Sequence, residues 1–127
     1  MIVVCGIVAS FIFLKIRRKI MKAFKKYIID FTEVNYYLEM HAVIWHAFEF
    51  PDYYGCNWSA FWDCLKDMYG EPIHIEIIGL EVIERKFGDA AKTMIEILKD
   101  FKHLGNDRFS NDIRIELVSG DVRISIE

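Results

Sequence analysis

The residues best equipped for chemistry stand together between Pro51 and Asp67, in the run PDYYGCNWSAFWDCLKD. That run holds Tyr53, Tyr54, Trp58 and Trp62, the turn residue Gly55, the helix-capping type Asn57 and the carboxylate of Asp63. Trp and Tyr present large, fairly rigid contact area with a polar tip, which suits a recognition surface. A carboxylate beside them can accept charge-assisted hydrogen bonds, bidentate when the donor is a guanidinium. This combination offers recognition of a basic partner rather than bond-making.

The other reactive groups are scattered. His41 and His46 are five apart rather than the four that would set both on one helix face as metal ligands, and they read as surface or edge histidines. His74 and Glu76 alternate onto one side of a strand, where hydrogen bonding is the expected role, because no third group is visible to orient them for acid–base work. Cys5, Cys56 and Cys64 are an odd set without a CxxC, which points to a reducing compartment and away from zinc or thioredoxin-like sites. Asp63 and Asp100 have no sequence reason to form a glycosidase pair, and nothing favours a hydrolase built on Cys56. Nucleophile elbow, P-loop, GxGxxG and HExxH are all missing. The residues argue for a binding module that is not an enzyme, with no cofactor and no metal.

Hydrophobic periodicity supplies the elements that must position these groups. Asn57 caps a helix over Trp58–Tyr69, with Trp58, Phe61, Leu65 and Met68 on one apolar stripe and Cys64 beside it. Ser59, Asp63, Lys66 and Asp67 fall on the other face, and Trp62 sits at the border. Gly55 turns the preceding loop, where positive φ is tolerated. Upstream, Tyr27–Phe31 reads as a strand, and Thr32 caps a helix over Glu33–Phe48 whose apolar face is Val34, Tyr37, Leu38, His41/Ala42, Trp45 and Phe48. Downstream come a strand over Pro72–Ile78, a short helix over Leu80–Phe87, and a longer helix from an Asp89 cap to about His103, with Asp100 off its apolar face. A polar loop over Leu104–Asn111 leads to a strand over Ile113–Val118, a turn at Ser119-Gly120-Asp121 and a last strand over Val122–Ile126. Strands separated by helices imply an α/β domain with a parallel sheet, and the final hairpin adds one antiparallel edge strand.

At 127 residues, 54% of them hydrophobic, the chain is one domain with a real core. Its net charge of −3 conceals an asymmetry. Seven of its 16 basic residues lie in residues 1–26, which hold no acid; the other nine face 19 acids, leaving residues 27–127 at −10. An acidic body disfavours nucleic acid and favours a basic protein, through fields that steer encounter. Residues 1–25 read as an apolar and basic extension to a domain over 26–127. Met1–Leu14, at about 21 Å as a helix, falls short of the roughly 30 Å hydrocarbon core. Two readings stay open: a start placed too early, with Met21 the true beginning, or a short membrane anchor with a basic flank. Both leave the domain in the cytoplasm, and membrane contact is expected only through residues 1–20.

The run PDYYGCNWSAFWDCL resembles the signature of the barstar family, intracellular inhibitors of small microbial ribonucleases. The resemblance rests on Pro51, Tyr53-Tyr54-Gly55, Asn57, Ala60 and Trp62-Asp63-Cys64-Leu65, and extends over about Lys26–Val118 in element order and spacing. It implies a small α/β fold in which a three-stranded parallel sheet packs with four helices, here extended by the C-terminal hairpin. It further implies that the second helix and its preceding loop plug a ribonuclease active site in a 1:1 complex. Asp63 would take the place of a substrate phosphate among the enzyme's basic groups. Tyr53 and Trp62 would be neighbouring contacts, Gly55 would let the backbone approach closely, and Asp100 would match a further acidic contact. The partner so implied is a basic secreted or toxin-type ribonuclease. The resemblance also makes Glu71–Pro72 a candidate cis peptide and slow-folding bond. Ser59, where the family's best-known member has an acid, and Lys66, where it has a small polar residue, imply a different cognate enzyme. The alternative is a domain of the same fold that binds a non-ribonuclease partner, tethered to the membrane by its N-terminal segment.

Overall fold

The computed structural model of the chain describes residues 24–104 and 113–127. The readings placed on residues 1–23 and on the loop over 105–111 lie outside them. The elements run β1 (Lys25–Asp30), α1 (Tyr37–Phe48), α2 (Trp58–Asp67), β2 (Ile73–Ile78), α3 (Leu80–Phe87), α4 (Ala90–Lys102), β3 (Ile113–Ser119) and β4 (Val122–Ser125). Four strands form one sheet in the order β1-β2-β3-β4. The first three are parallel and β4 returns antiparallel to β3, as the element order implied. Each parallel step is bridged by a pair of helices, since parallel neighbours cannot be joined by a tight turn. Among the described residues, no helix is long and apolar enough to cross a membrane.

Alternation along the strands separates two unlike faces. Tyr27, Ile29, Ile73, Ile75, Ile77, Ile113 and Ile115 are buried with helix residues such as Met40, Ile44, Phe61, Leu65, Met94 and Phe101. β-Branched residues at every second position suit such a face, because their stiff side chains pack across neighbouring strands. The opposite side carries a polar network. The Glu76 carboxylate, 4% exposed at the centre of β2, accepts a hydrogen bond from Arg123 Nη1 at 2.6 Å and pairs with Lys26 Nζ at 3.1 Å. His74 Nε2 lies 2.5 Å from a Glu116 oxygen on β3. The Arg123 hydrogen bond, seconded by Lys26 and opposed by burial, holds the Glu76 carboxyl below the usual carboxylate range. The third group that the sequence left invisible is therefore Arg123, carried back across the sheet by β4.

Three expectations are corrected. The first helix begins at Tyr37, not Glu33, because Asp30 captures the cap residue. Its Oδ1 accepts from Thr32 N–H at 2.9 Å and from the Thr32 hydroxyl at 2.7 Å, while Val34 N–H bonds Phe31 carbonyl at 3.1 Å and closes a turn. The inward face of the helix is Met40, His41, Ile44 and Phe48, and Leu38 is left outside. His41 is consequently a fully buried residue rather than a surface one. The Glu71–Pro72 peptide is trans, since the described residues contain no cis bond.

Gly79 joins β2 to α3 in the left-handed conformation, at φ 79° and ψ 27°. A Cβ there would lie 2.9 Å from the backbone nitrogen of Thr32 and 3.2 Å from the carbonyl carbon of Phe31. Conformation and close approach therefore both require glycine. Gly79→Ala is expected to destabilise the fold by about 2 kcal/mol or more in urea denaturation. A loss well below about 1 kcal/mol would mean that the Thr32 turn moves aside freely.

Candidate functional site

The loop over residues 50–57 is held chiefly by side chains. Phe50 stacks on Phe48 with centroids 5.1 Å apart and planes at 11°, and Tyr54 packs against Phe50 at 5.2 Å. The Trp45 indole N–H donates to the Phe50 carbonyl at 2.8 Å, and Tyr54 N–H to the Pro51 carbonyl at 3.0 Å. The Tyr54 hydroxyl and His41 Nδ1 share a buried hydrogen bond of 2.8 Å. The His41 ring lies 4.7 Å from that of Trp58, at the start of α2, and its Nε2 is a buried atom without a hydrogen bond. Burial pushes His41 down from its ordinary pKa and pushes the Tyr54 hydroxyl up, so both groups are held neutral.

The turn into α2 differs from expectation in one residue. Cys56, not Gly55, takes the positive φ, at 52°. Gly55 leaves room for the cap side chain: a Cβ there would stand 3.1 Å from Asn57 Nδ2, which donates to the Gly55 carbonyl at 3.1 Å. Asn57 is the cap, its Oδ1 accepting from Ala60 N–H at 2.8 Å. Phe61, Cys64 and Leu65 fasten the helix to the core, while Trp58 is half-buried and packs against it.

Opposite that anchor, α2 presents its polar ridge. Ser59, Asp63, Lys66 and Asp67 are exposed, as their spacing implied. The Asp63 carboxylate is 72% exposed and pairs with Lys66 Nζ at 3.3 Å. The same ammonium lies 5.7 Å from the centre of the half-buried Trp62 ring. Tyr53, next to the buried Tyr54, is 76% exposed. Asp100 is exposed on α4 beside Phe101, whose ring meets Tyr69 edge-on at 6.3 Å just beyond α2. Asp63, Trp62 and Lys66 are thus in mutual reach; Tyr53 and Gly55 sit in the loop at the start of the helix, and Asp100 lies on the neighbouring helix near its far end. His41 and Tyr54, which position the loop, were each noted in the sequence, Tyr54 as a recognition aromatic and His41 as a surface or edge histidine, but not as partners in a buried hydrogen bond. A histidine at a core position of α1 is the signal that would have found them.

His74, Glu76 and Glu116 hold three ligand-type atoms within 4.8 Å of one another. Arg123 and Lys26 already contact Glu76, and Arg123 Nη1 is also 3.7 Å from Glu116. Two cations meet two carboxylates, so a metal ion would have to displace or face fixed positive charge. The cluster reads as an ion-pair network spanning all four strands.

The fold and the ridge on α2 define a small α/β domain that offers a carboxylate among aromatics. The family model described as "Barstar (barnase inhibitor)" matches residues 24–116, and the chain belongs to the barstar family. It is also similar to the "Putative ribonuclease inhibitor YrdF" of Bacillus subtilis (strain 168), with 28% identity over 85 residues, covering 67% of this chain and 93% of that relative. Strand β4, with Arg123, lies beyond the matched residues.

The buried His41 makes stability depend on pH. An unfolded histidine titrates near 6.5, and in the folded chain His41 is held lower. Below that value the unfolded state binds a proton that the folded state refuses, so stability falls with pH until folded His41 itself titrates. Denaturation from about pH 7.5 to 5 is expected to show this loss in the wild type and a flatter profile in His41→Gln. Parallel profiles would remove His41 as the source.

Proposed function

We propose that this protein inhibits a small basic ribonuclease in the cytoplasm as a 1:1 complex, by seating α2 and the loop before it in the enzyme's active site. Family membership and the relative's description as a ribonuclease inhibitor support the class of partner. The observation that carries the reading is Asp63: a largely exposed carboxylate on a capped helix whose opposite face is fixed in the core. A ribonuclease must hold an anionic phosphate, so its cleft gathers cationic side chains. Asp63 would accept their charge-assisted hydrogen bonds, with Tyr53 and Trp62 as apolar contacts and Gly55 allowing close backbone approach. Asp100, from α4, would meet the rim of the same cleft. The acidity of residues 27–127 would speed encounter with such an enzyme. A protein of this kind protects the cell that makes the enzyme or neutralises it as an immunity protein.

The test is titration of barnase and other small basic microbial ribonucleases with wild type, Asp63→Lys and, as a charge-matched control, Asp121→Lys in the β3–β4 turn. Wild type and the control are expected to inhibit at least one enzyme alike. Asp63→Lys is expected to weaken that inhibition on the order of a thousandfold, the scale of breaking a buried ion pair. Equal potency of Asp63→Lys and wild type would sink the site, and a panel left fully active by wild type would sink the function.

A further inference from the structure

The first edge of the sheet carries a pattern complementary to itself. β1 is the outermost strand and pairs on one side only, with β2. Lys25 N–H donates to the Pro72 carbonyl at 3.1 Å and Phe31 N–H to the Ile78 carbonyl at 2.8 Å. Successive residues of a strand turn their backbone groups to opposite sides, so Tyr27 and Ile29 face β2 as well. The backbone groups of Lys26, Ile28 and Asp30 are left directed outward. Their side chains share one face of the sheet, opposite the buried Tyr27 and Ile29. Ile28, midway between the two charged residues, is 50% exposed.

Sheet edges are ordinarily blunted by proline, by a bulge or by lysine. β1 pairs with β2 without a bulge and contains no proline. Its outward lysine repels a second chain unless a carboxylate meets it, and the same strand supplies that carboxylate. Asp30 uses Oδ1 for both of its bonds to Thr32, and Oδ2 has no hydrogen bond among the described residues. Lys26, its side chain 48% exposed, shares Glu76 with Arg123, so its ammonium is not the sole partner of that carboxylate.

We propose that β1 pairs antiparallel with β1 of a second copy of this chain, about a two-fold axis at Ile28. Residues 26 and 30 are equidistant from that axis, so Lys26 of each copy lies opposite Asp30 of the other and Ile28 lies opposite itself. These are the residues whose backbone groups open outward, and each opposed pair therefore exchanges both of its N–H to carbonyl bonds. The contact uses the same patch on both copies and closes at a dimer. Alongside the edge runs a groove between Ile28 and the half-buried Ala42, Val43 and Ala47 of α1. A strand added to β1 removes part of that apolar lining from water, which adds burial to the backbone pairing. Neither Asp63 nor Trp62 lines the groove, so this contact is distinct from the ridge on α2.

The experiment is sedimentation equilibrium of the full chain from micromolar to submillimolar concentration, on wild type, Ile28→Val, Ile28→Lys and, in β4 at the opposite edge, Ile124→Lys. Both positions are at least half exposed, so all variants are expected to melt with the wild type. Wild type, Ile28→Val and Ile124→Lys are expected to dimerise alike. Ile28→Lys sets like charges face to face on the axis and is expected to raise the dimer dissociation constant about tenfold or more. Amide exchange of the wild type reads the same edge without a substitution. The N–H groups of Ile28 and Asp30 are expected to exchange more slowly as concentration rises, while that of Ile29 is unchanged. A wild type that stays monomeric throughout the range overturns the proposal. So does a dimer that survives Ile28→Lys, or one in which the Ile28 amide exchanges as fast as in the monomer.

Discussion

The buried hydrogen bond between Tyr54 and His41 joins α1 to the loop before α2. The loop before α2 makes few backbone bonds of its own, so its place depends on where Tyr54 is held. With the Tyr54 ring against Phe50 and its hydroxyl on His41, the adjacent Tyr53 points to solvent. The same histidine touches Trp58 at the start of α2 and Tyr37 at the start of α1. One buried imidazole thus sets three surfaces relative to one another. It must stay neutral to do so, because a charged ring in that environment would lack both solvent and a counter-ion.

The far side of the sheet solves a different problem. Parallel sheets are ordinarily apolar on both faces, yet here the centre of the second face is a glutamate. Its carboxylate is tolerable because Arg123 and Lys26 reach it from the two outer strands and Glu116 engages His74 and Arg123. Arg123 can do this only because β4 folds back antiparallel and places it opposite Val118, on the same face as Glu116. Strand β4, beyond the family match, is therefore coupled electrostatically to the parallel sheet. That coupling weakens as acid protonates Glu76, whose lowered pKa makes its contribution present above the unfolded carboxylate range and absent below the folded one.

Much of this was legible in the sequence where a local signal and the tertiary context agree. Asn57 caps α2, Phe61 and Leu65 turn inward, Asp63 turns outward, and the strands alternate as their isoleucines imply. At the start of α1 a side chain diverted the backbone from its local preference. Asp30 took Thr32 out of its capping role, which shifted the helix start. At the other turn, Gly55 supplies room for the Asn57 amide while Cys56 bears the left-handed backbone. Composition cannot distinguish those two uses of a small residue in a loop. The Glu76 network was illegible for a further reason: its cations come from positions 26 and 123, and only strand register brings them together.

The ridge on α2 has an electrostatic character that the carboxylate alone would not give it. In solvent, the Asp63–Lys66 pair is worth less than about 1 kcal/mol, as exposed pairs are. Its consequence is for anything that approaches. Lys66 is rooted one helical turn from Asp63 and its ammonium lies near the Trp62 ring, so a group that reaches the carboxylate meets the ammonium as well. A surface bearing cations alone gains from Asp63 and loses to Lys66. One that sets a carboxylate beside its cations can satisfy both charges once water is excluded, where each interaction strengthens. Ser59, exposed on the same ridge, adds hydrogen-bonding capacity without charge. On the proposed reading, the aromatics and Asp63 would give this helix its means of binding, and Lys66 with Ser59 would narrow the partners for which that binding is electrostatically complete.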